Sequence, residues 1–181
     1  MKSMIAAAGR LPDGGGAAAR ALVRPAFLAQ IEESSGVDWL PIECNLVVTR
    51  ALHEVLAPAA FHLFYRDHLL ESFQGPLLKT MVDAAIRIFG IDPASWARWV
   101  PKGWALVFRD GGAWTVARVE PGHVAFRLEG LPDACIRDRV WLSSVASSLS
   151  AIVEIAKAQG GFELTDADPV SGRASFAMRW S

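Results

Sequence analysis

The chain has 181 residues, of which 52% are hydrophobic and 20% charged. Its 18 lysines and arginines nearly cancel 19 aspartates and glutamates. This excludes the basic excess of a nucleic-acid binder and the like-charge run of a polybasic anchor or an acidic tail. Charges break every apolar run well before the ~20 residues of a membrane-spanning helix, so no membrane insertion is expected.

In chain order, the apolar stretch Met4 to Ala8 is shorter than a signal-peptide core of ~7–15 residues, and the expected address is cytoplasmic. Residues 1–19 read as a flexible N-terminal tail. Pro12-Asp13-Gly14-Gly15-Gly16 holds regular structure only at high entropic cost. Residues 20–181 read as one domain. Alanines from Ala17 open a helix reaching about Glu33, with a break near Pro25. Leu46, Val47, Ala51, Leu52 and Val55 repeat at helical spacing. Pro58 starts the next helix, which carries Phe61, Phe64, Tyr65, His68, Leu69 and Phe73. Leu77, Leu78, Met81, Val82, Ala85, Ile88 and Phe89 make another helical stripe. Asp92-Pro93 opens a short helix that ends at Pro101.

Alternation begins at Trp104, Leu106 and Phe108, the pattern of a half-buried strand. Asp110-Gly111-Gly112 reads as a hairpin turn. Trp114 and Val116 continue in a second strand, and Val124, Phe126 and Leu128 in a third, with His123, Arg127 and Glu129 on its wet face. A long helix is expected at 135–158, with Trp141, Val145, Leu149, Ile152 and Ala156 on one face. A final hairpin pairs Phe162 and Leu164 with Ala174, Phe176, Met178 and Trp180. The fold class is α+β: N-terminal helices, a three-stranded antiparallel meander, a long helix and a C-terminal β-hairpin, with one antiparallel sheet covered by helices.

Catalytic signatures are missing. His53, His62, His68 and His123 form no HExxH, and Cys44 and Cys135 form no CxxC. There is no GxSxG nucleophile elbow, no phosphate-binding glycine loop and no paired carboxylates for acid–base work. No catalytic, cofactor-binding or metal-ligating residue is assigned, and the chain is not expected to be an enzyme. The two cysteines read as free buried thiols of a reducing compartment. Seven tryptophans stand out. Such a stripe is more often plain core, but aromatics also line small-molecule pockets or a protein-interaction face. The candidate ligand pocket is therefore His68, Tyr65 and Phe64 from one helix, with Trp104, Trp114 and Trp141.

Leu69-Leu70-Glu71-Ser72-Phe73, Gly75-Pro76-Leu77-Leu78, Ile88-Phe89-Gly90, Trp99-Val100-Pro101-Lys102-Gly103-Trp104, Leu106-Val107-Phe108-Arg109-Asp110 and Leu128-Glu129-Gly130-Leu131-Pro132 carry a resemblance. Together they resemble a myxobacterial family of uncharacterised paralogues. That family is similar to the vinyl-4-reductase domain and, through it, to the superfamily of haem nitric-oxide sensors and TRAPP vesicle-tethering subunits. The resemblance spans about residues 20–181. It implies helices packed on an antiparallel sheet, an apolar cavity between them, and members that dimerise. The haem sensors' Tyr-x-Ser-x-Arg motif is absent, because the sole tyrosine, Tyr65, is followed by Arg66, Asp67 and His68. No cofactor is therefore expected. TRAPP subunits can carry an acyl chain on a buried cysteine, but no local motif transfers that role to Cys44. The expected function is non-enzymatic small-molecule sensing or protein interaction in bacterial signalling, with a hydrophobic ligand in an internal cavity and a homodimer or signalling protein as partner. The alternative is a dimerisation or docking scaffold with a filled core and no ligand.

Overall fold

Proline and glycine set most of the boundaries that the chain adopts. The computed structural model describes residues 1–35, 38–75, 79–80, 82–84, 86 and 92–181. Of the apolar stripe expected on the next helix, Val82 is described and helical, while Leu77, Leu78, Met81, Ala85, Ile88 and Phe89 lie outside the described residues. The chain divides into two units, Met1–His62 and Leu63–Ser181.

The first unit is helical. It holds α1 (Lys2–Ala8), a 3₁₀ turn (Pro12–Gly14), α2 (Gly15–Leu22), α3 (Pro25–Glu33) and α4 (Ile42–Val55). α2 packs on α1 and α4. The expected tail is thus ordered helix, with Met4, Ala7 and Ala8 buried. Two properties explain the correction. Alanine is the strongest helix former, and Gly16 removes the one side chain that would hold α2 off α1. A Cβ there would sit 2.1 Å from the Ala8 carbonyl oxygen. Asp13 (φ 54°) and Gly14 (φ 75°) make the reversal between the two helices. α5 (Pro58–Gln74) begins in this unit and ends in the next.

The second unit carries the sheet. α6 (Pro93–Ala97) and α7 (Val100–Val107) lead into β1 (Ala113–Glu120) and β2 (His123–Glu129). Then come α8 (Asp133–Ile136), α9 (Arg139–Leu149), α10 (Ala151–Ile155), β3 (Gly160–Asp168) and β4 (Arg173–Trp180). The four strands form one antiparallel sheet in the order β1-β2-β4-β3. Its inner face is a continuous apolar layer: Trp114 pairs with Leu128, Phe126 with Phe176, and Phe162 with Met178. α9 packs against β3, and α7 against β1. A bulge after Val116 and another after Leu164 shift the register of the two edge strands; such bulges blunt an exposed edge.

The α+β class with one antiparallel sheet holds. Two details differ. The first strand of the meander is instead α7, so the sheet begins with a two-stranded hairpin. Pro101 stands in the first turn of α7, where a missing N–H costs nothing and the fixed φ suits a helix; it starts a helix rather than ending one. Asp110-Gly111-Gly112 consequently links helix to strand. The long helix of 135–158 is divided into α8, α9 and α10. Asp138 accepts the Trp141 N–H at 2.9 Å and restarts the helix as its N-cap.

Candidate functional site

The three tryptophans proposed for a pocket converge. Trp104 from α7 stands edge-on to Trp114 of β1 (ring centroids 5.8 Å) and to Trp141 of α9 (6.2 Å). Phe108 stacks on Trp104 at 3.9 Å, and Phe176 lies 4.7 Å from Trp114. Phe126 and Phe162 extend the set at 5.0 Å from each other. These separations are those of rings in direct contact, so the cluster is packed by its own side chains. The two buried indoles that face each other differ in one respect. Trp104 Nε1 donates to the Gly111 carbonyl at 3.0 Å, whereas Trp114 Nε1 is buried with no hydrogen-bond partner among the described residues.

Phe64, Tyr65 and His68 come together on α5. The Phe64 ring meets Tyr65 edge-on at 5.4 Å and lies parallel to His68 at 6.2 Å. Tyr65 is buried, while Phe64 and His68 are half-buried. The described ring contacts join these three to one another and the tryptophans to one another. The Ser72 hydroxyl donates to the His68 carbonyl at 2.8 Å.

A cavity of about 290 Å³ lies in the helical unit, between α1, α2 and α4. Ile5, Ala8, Ala19, Val48, Ala51 and Leu52 line it, together with Gly16, and Arg20 is the single charged residue of the lining. The Arg20 guanidinium is ion-paired with Glu32 of α3. Small side chains on three helices leave this space, because alanine and glycine bring backbones close without filling the gap that a leucine would occupy. Residues 1–19 contribute six of the lining positions, Ile5, Ala8, Gly9, Gly16, Ala17 and Ala19, so reading them as a tail concealed the site. The available signal was the pair of alanine runs, Ala6-Ala7-Ala8 and Ala17-Ala18-Ala19.

Both thiols are fully buried. The Cys44 Sγ–H donates to Gln30 Oε1 at 3.4 Å, and burial, helped by the neighbouring Glu43 charge, pushes its thiol above the ordinary value of 9.0. Among the described residues, no group of three His, Cys, Asp or Glu side chains is placed to hold a metal ion. No described helix is long and apolar enough to cross a membrane.

The fold, a helical unit followed by a four-stranded antiparallel sheet with helices on its inner face, is similar to that of H-NOX domains. The Fe(II) unliganded H-NOX protein from K. algicida aligns with a TM-score of 0.66 and 6% identity, over 99% of this chain and 94% of that one. An oxygen-binding H-NOX domain related to soluble guanylate cyclases aligns with a TM-score of 0.59 and 8% identity, over 99% and 92%. A trafficking protein particle complex subunit 3 from Naegleria fowleri, covalently bound to palmitic acid, aligns with a TM-score of 0.48 and 12% identity, over 76% and 90%. No protein-family model and no curated protein matches the chain. At these identities the H-NOX likeness is one of fold.

Haem, which that fold brings to mind, does not fit the residues present. The helices α6 and α7 carry tryptophans and no histidine. His53 is exposed and edge-on to Phe61 at 5.3 Å. His123 begins β2, 3.5 Å from Glu120. His62 and His68 are six residues apart on α5, on different faces. The lining of the helical cavity contains no histidine, cysteine or tyrosine, and the sheet-side interior is taken up by its own rings.

Proposed function

We propose that this chain is a non-enzymatic sensing domain of cytoplasmic bacterial signalling that takes a small apolar molecule into its helical unit. The cavity between α1, α2 and α4 carries this reading. Its volume of about 290 Å³ is at the lower end of small-molecule pockets, ~300–1,000 Å³. Its aliphatic lining favours an uncharged, compact ligand through the loss of apolar surface from water. The fold shared with H-NOX proteins, one of them oxygen-binding by name, supports the sensing class. The ligand proposed here is not an iron centre, because no histidine, cysteine or tyrosine lines the helical cavity.

The test is a thermal-shift and NMR titration with a panel of small hydrocarbons and indole. A ligand at 100 times its Kd adds about 2.7 kcal/mol to the native state, which raises Tm and moves the Ala51 methyl resonance. Ala51→Leu fills the cavity and is expected to abolish both effects while leaving Tm without ligand unchanged or higher. An equal shift in the variant overturns the assignment of the site.

One observation favours a second site, the aromatic cluster of Trp104, Trp114 and Trp141. The unpaired buried N–H of Trp114 offers a donor to any ligand acceptor that enters the cluster. In the same titration, movement of the Trp114 indole N–H resonance rather than the Ala51 methyl selects it. If neither moves, the docking-scaffold function without a ligand is the one that survives.

A further inference from the structure

The outer face of the sheet has a charge pattern that its inner face does not need. Acid gathers on the edge strand β3, at Glu163, Asp166 and Asp168, while arginines stand on the opposite side, at Arg118 of β1 and Arg127 of β2. The register places Arg118, Ala125, Ala177 and Glu163 in one row across the four strands. A second row carries Glu129 and Arg173 on the two central strands. The Arg118, Arg179 and Glu163 side chains are 69%, 61% and 51% exposed. The middle of the face is low: its central side chains are Ala125, half-buried, and Ala177, buried beneath its longer neighbours.

We infer that this face is the dimerisation surface for a second copy of this chain. Closed pairing of one face with itself requires a two-fold axis lying in the interface. An axis parallel to the strands, between β2 and β4, exchanges β1 with β3 and β2 with β4. It sets Arg118 of one copy over Glu163 of the other, Glu129 over Arg173, and Ala125 over Ala177, each twice. The low alanines let two sheets approach to the ~10 Å of face-to-face packing. The row of His123 and Arg179 adds no attraction. The alternative axis, across the strands, sets Arg173 over Arg179 and Asp166 over Glu163, like on like, so the charges choose between the two arrangements. Four strands at ~4.8 Å spacing and about eight residues at ~3.3 Å give about 500 Å² per copy, or about 1,000 Å² in all. That is the low end for a specific interface, so the dimer is reversible. The pairs within one copy, Arg118 with Glu120 and Arg179 with Glu163, are exposed and weak, and they exchange readily for pairs across the interface. None of this depends on the helical cavity.

Sedimentation velocity of the full chain tests the surface. A monomer–dimer equilibrium is expected at micromolar concentration, weakening as salt rises towards about 0.5 M, where exposed charges are screened within a few ångströms. Arg118→Glu alone, or Glu163→Arg alone, is expected to weaken the dimer at least about tenfold, because like charges then face each other. The double variant Arg118→Glu/Glu163→Arg restores opposite charges and is expected to return Kd to within about threefold of the original. Both positions of change are on the exposed face, and circular dichroism checks that each of the three variants folds. A wild-type chain that stays monomeric at about 100 µM overturns the inference, as does a double variant no tighter than the singles.

Discussion

Trp104 and Trp114 touch in the same aromatic cluster, yet their N–H groups have different fates, and this difference is measurable. Replacing Trp104 with Phe deletes the donor to the buried Gly111 carbonyl and leaves an unsatisfied acceptor. Replacing Trp114 with Phe deletes an N–H that has no partner. Both variants lose buried ring area, so the difference between them isolates the hydrogen bond. Trp104→Phe is expected to cost about 1–2 kcal/mol more than Trp114→Phe in urea unfolding; equal costs refute the assignment. Cys44 gives a second reading at this scale. Its folded pKa is raised by burial, so the thiol's contribution to stability is complete below the ordinary value of 9.0 and is lost as pH rises through the higher folded value. At pH 8 neither Cys44 nor Cys135 is expected to react with a disulfide reagent until denaturant unfolds the chain, and reaction in the native state contradicts their burial. At the residue scale the sequence was informative where chemistry is distinctive. The meeting of Trp104, Trp114 and Trp141 was legible, but the alanine-lined cavity was not, because a void is made by what small side chains leave out.

Ser150 shows how one side chain sets the shape of an element. Its Oγ sits 3.2 Å from the Ala146 carbonyl and accepts the Phe162 N–H at 3.0 Å. β3 is an edge strand, so that N–H points away from β4 and has no ladder partner; the serine supplies one from the junction of α9 and α10. Ser144, Ser147 and Ser148 also turn back to carbonyls of the preceding turn, a habit that bends helices. The serine run therefore explains why the single long helix read from the apolar stripe is divided. Ser150→Ala is expected to destabilise by about 1–3 kcal/mol by stranding the buried Phe162 N–H. Ser148→Ala, whose acceptor is already in a helix, is expected to stay within about 0.5 kcal/mol. Differential scanning calorimetry of the pair decides, and similar costs would mean that the strand edge does not rely on Ser150. The helix α7 was misread for a related reason. Over Trp104, Leu106 and Phe108 the period of two and the helical period are hard to distinguish in so short a run, and Pro101 was consistent with either boundary.

At the scale of the molecule, strand pairing was legible because turn residues and alternation agree over β1, β2, β3 and β4. The order β1-β2-β4-β3 was less so, since it depends on where the connecting helices cross. Likeness to H-NOX domains over 99% of the chain and the donor set then point in opposite directions, and the donors decide the chemistry, because a fold hosts many functions while a site hosts few. A haem needs an axial ligand in an enclosed space wide enough for the macrocycle. Here α6 and α7 carry the buried Trp96 and Trp104 and no histidine, and Trp104 fills interior space against Phe108, Trp114 and Trp141. The prediction is that protein expressed with added haem precursor purifies without a Soret band, and that hemin added to the folded chain produces no stoichiometric spectral shift. His68→Ala provides the control, since a band present in the wild type and lost in that variant would establish ligation through α5. A stoichiometric band of that kind would overturn the assignment of an apolar ligand.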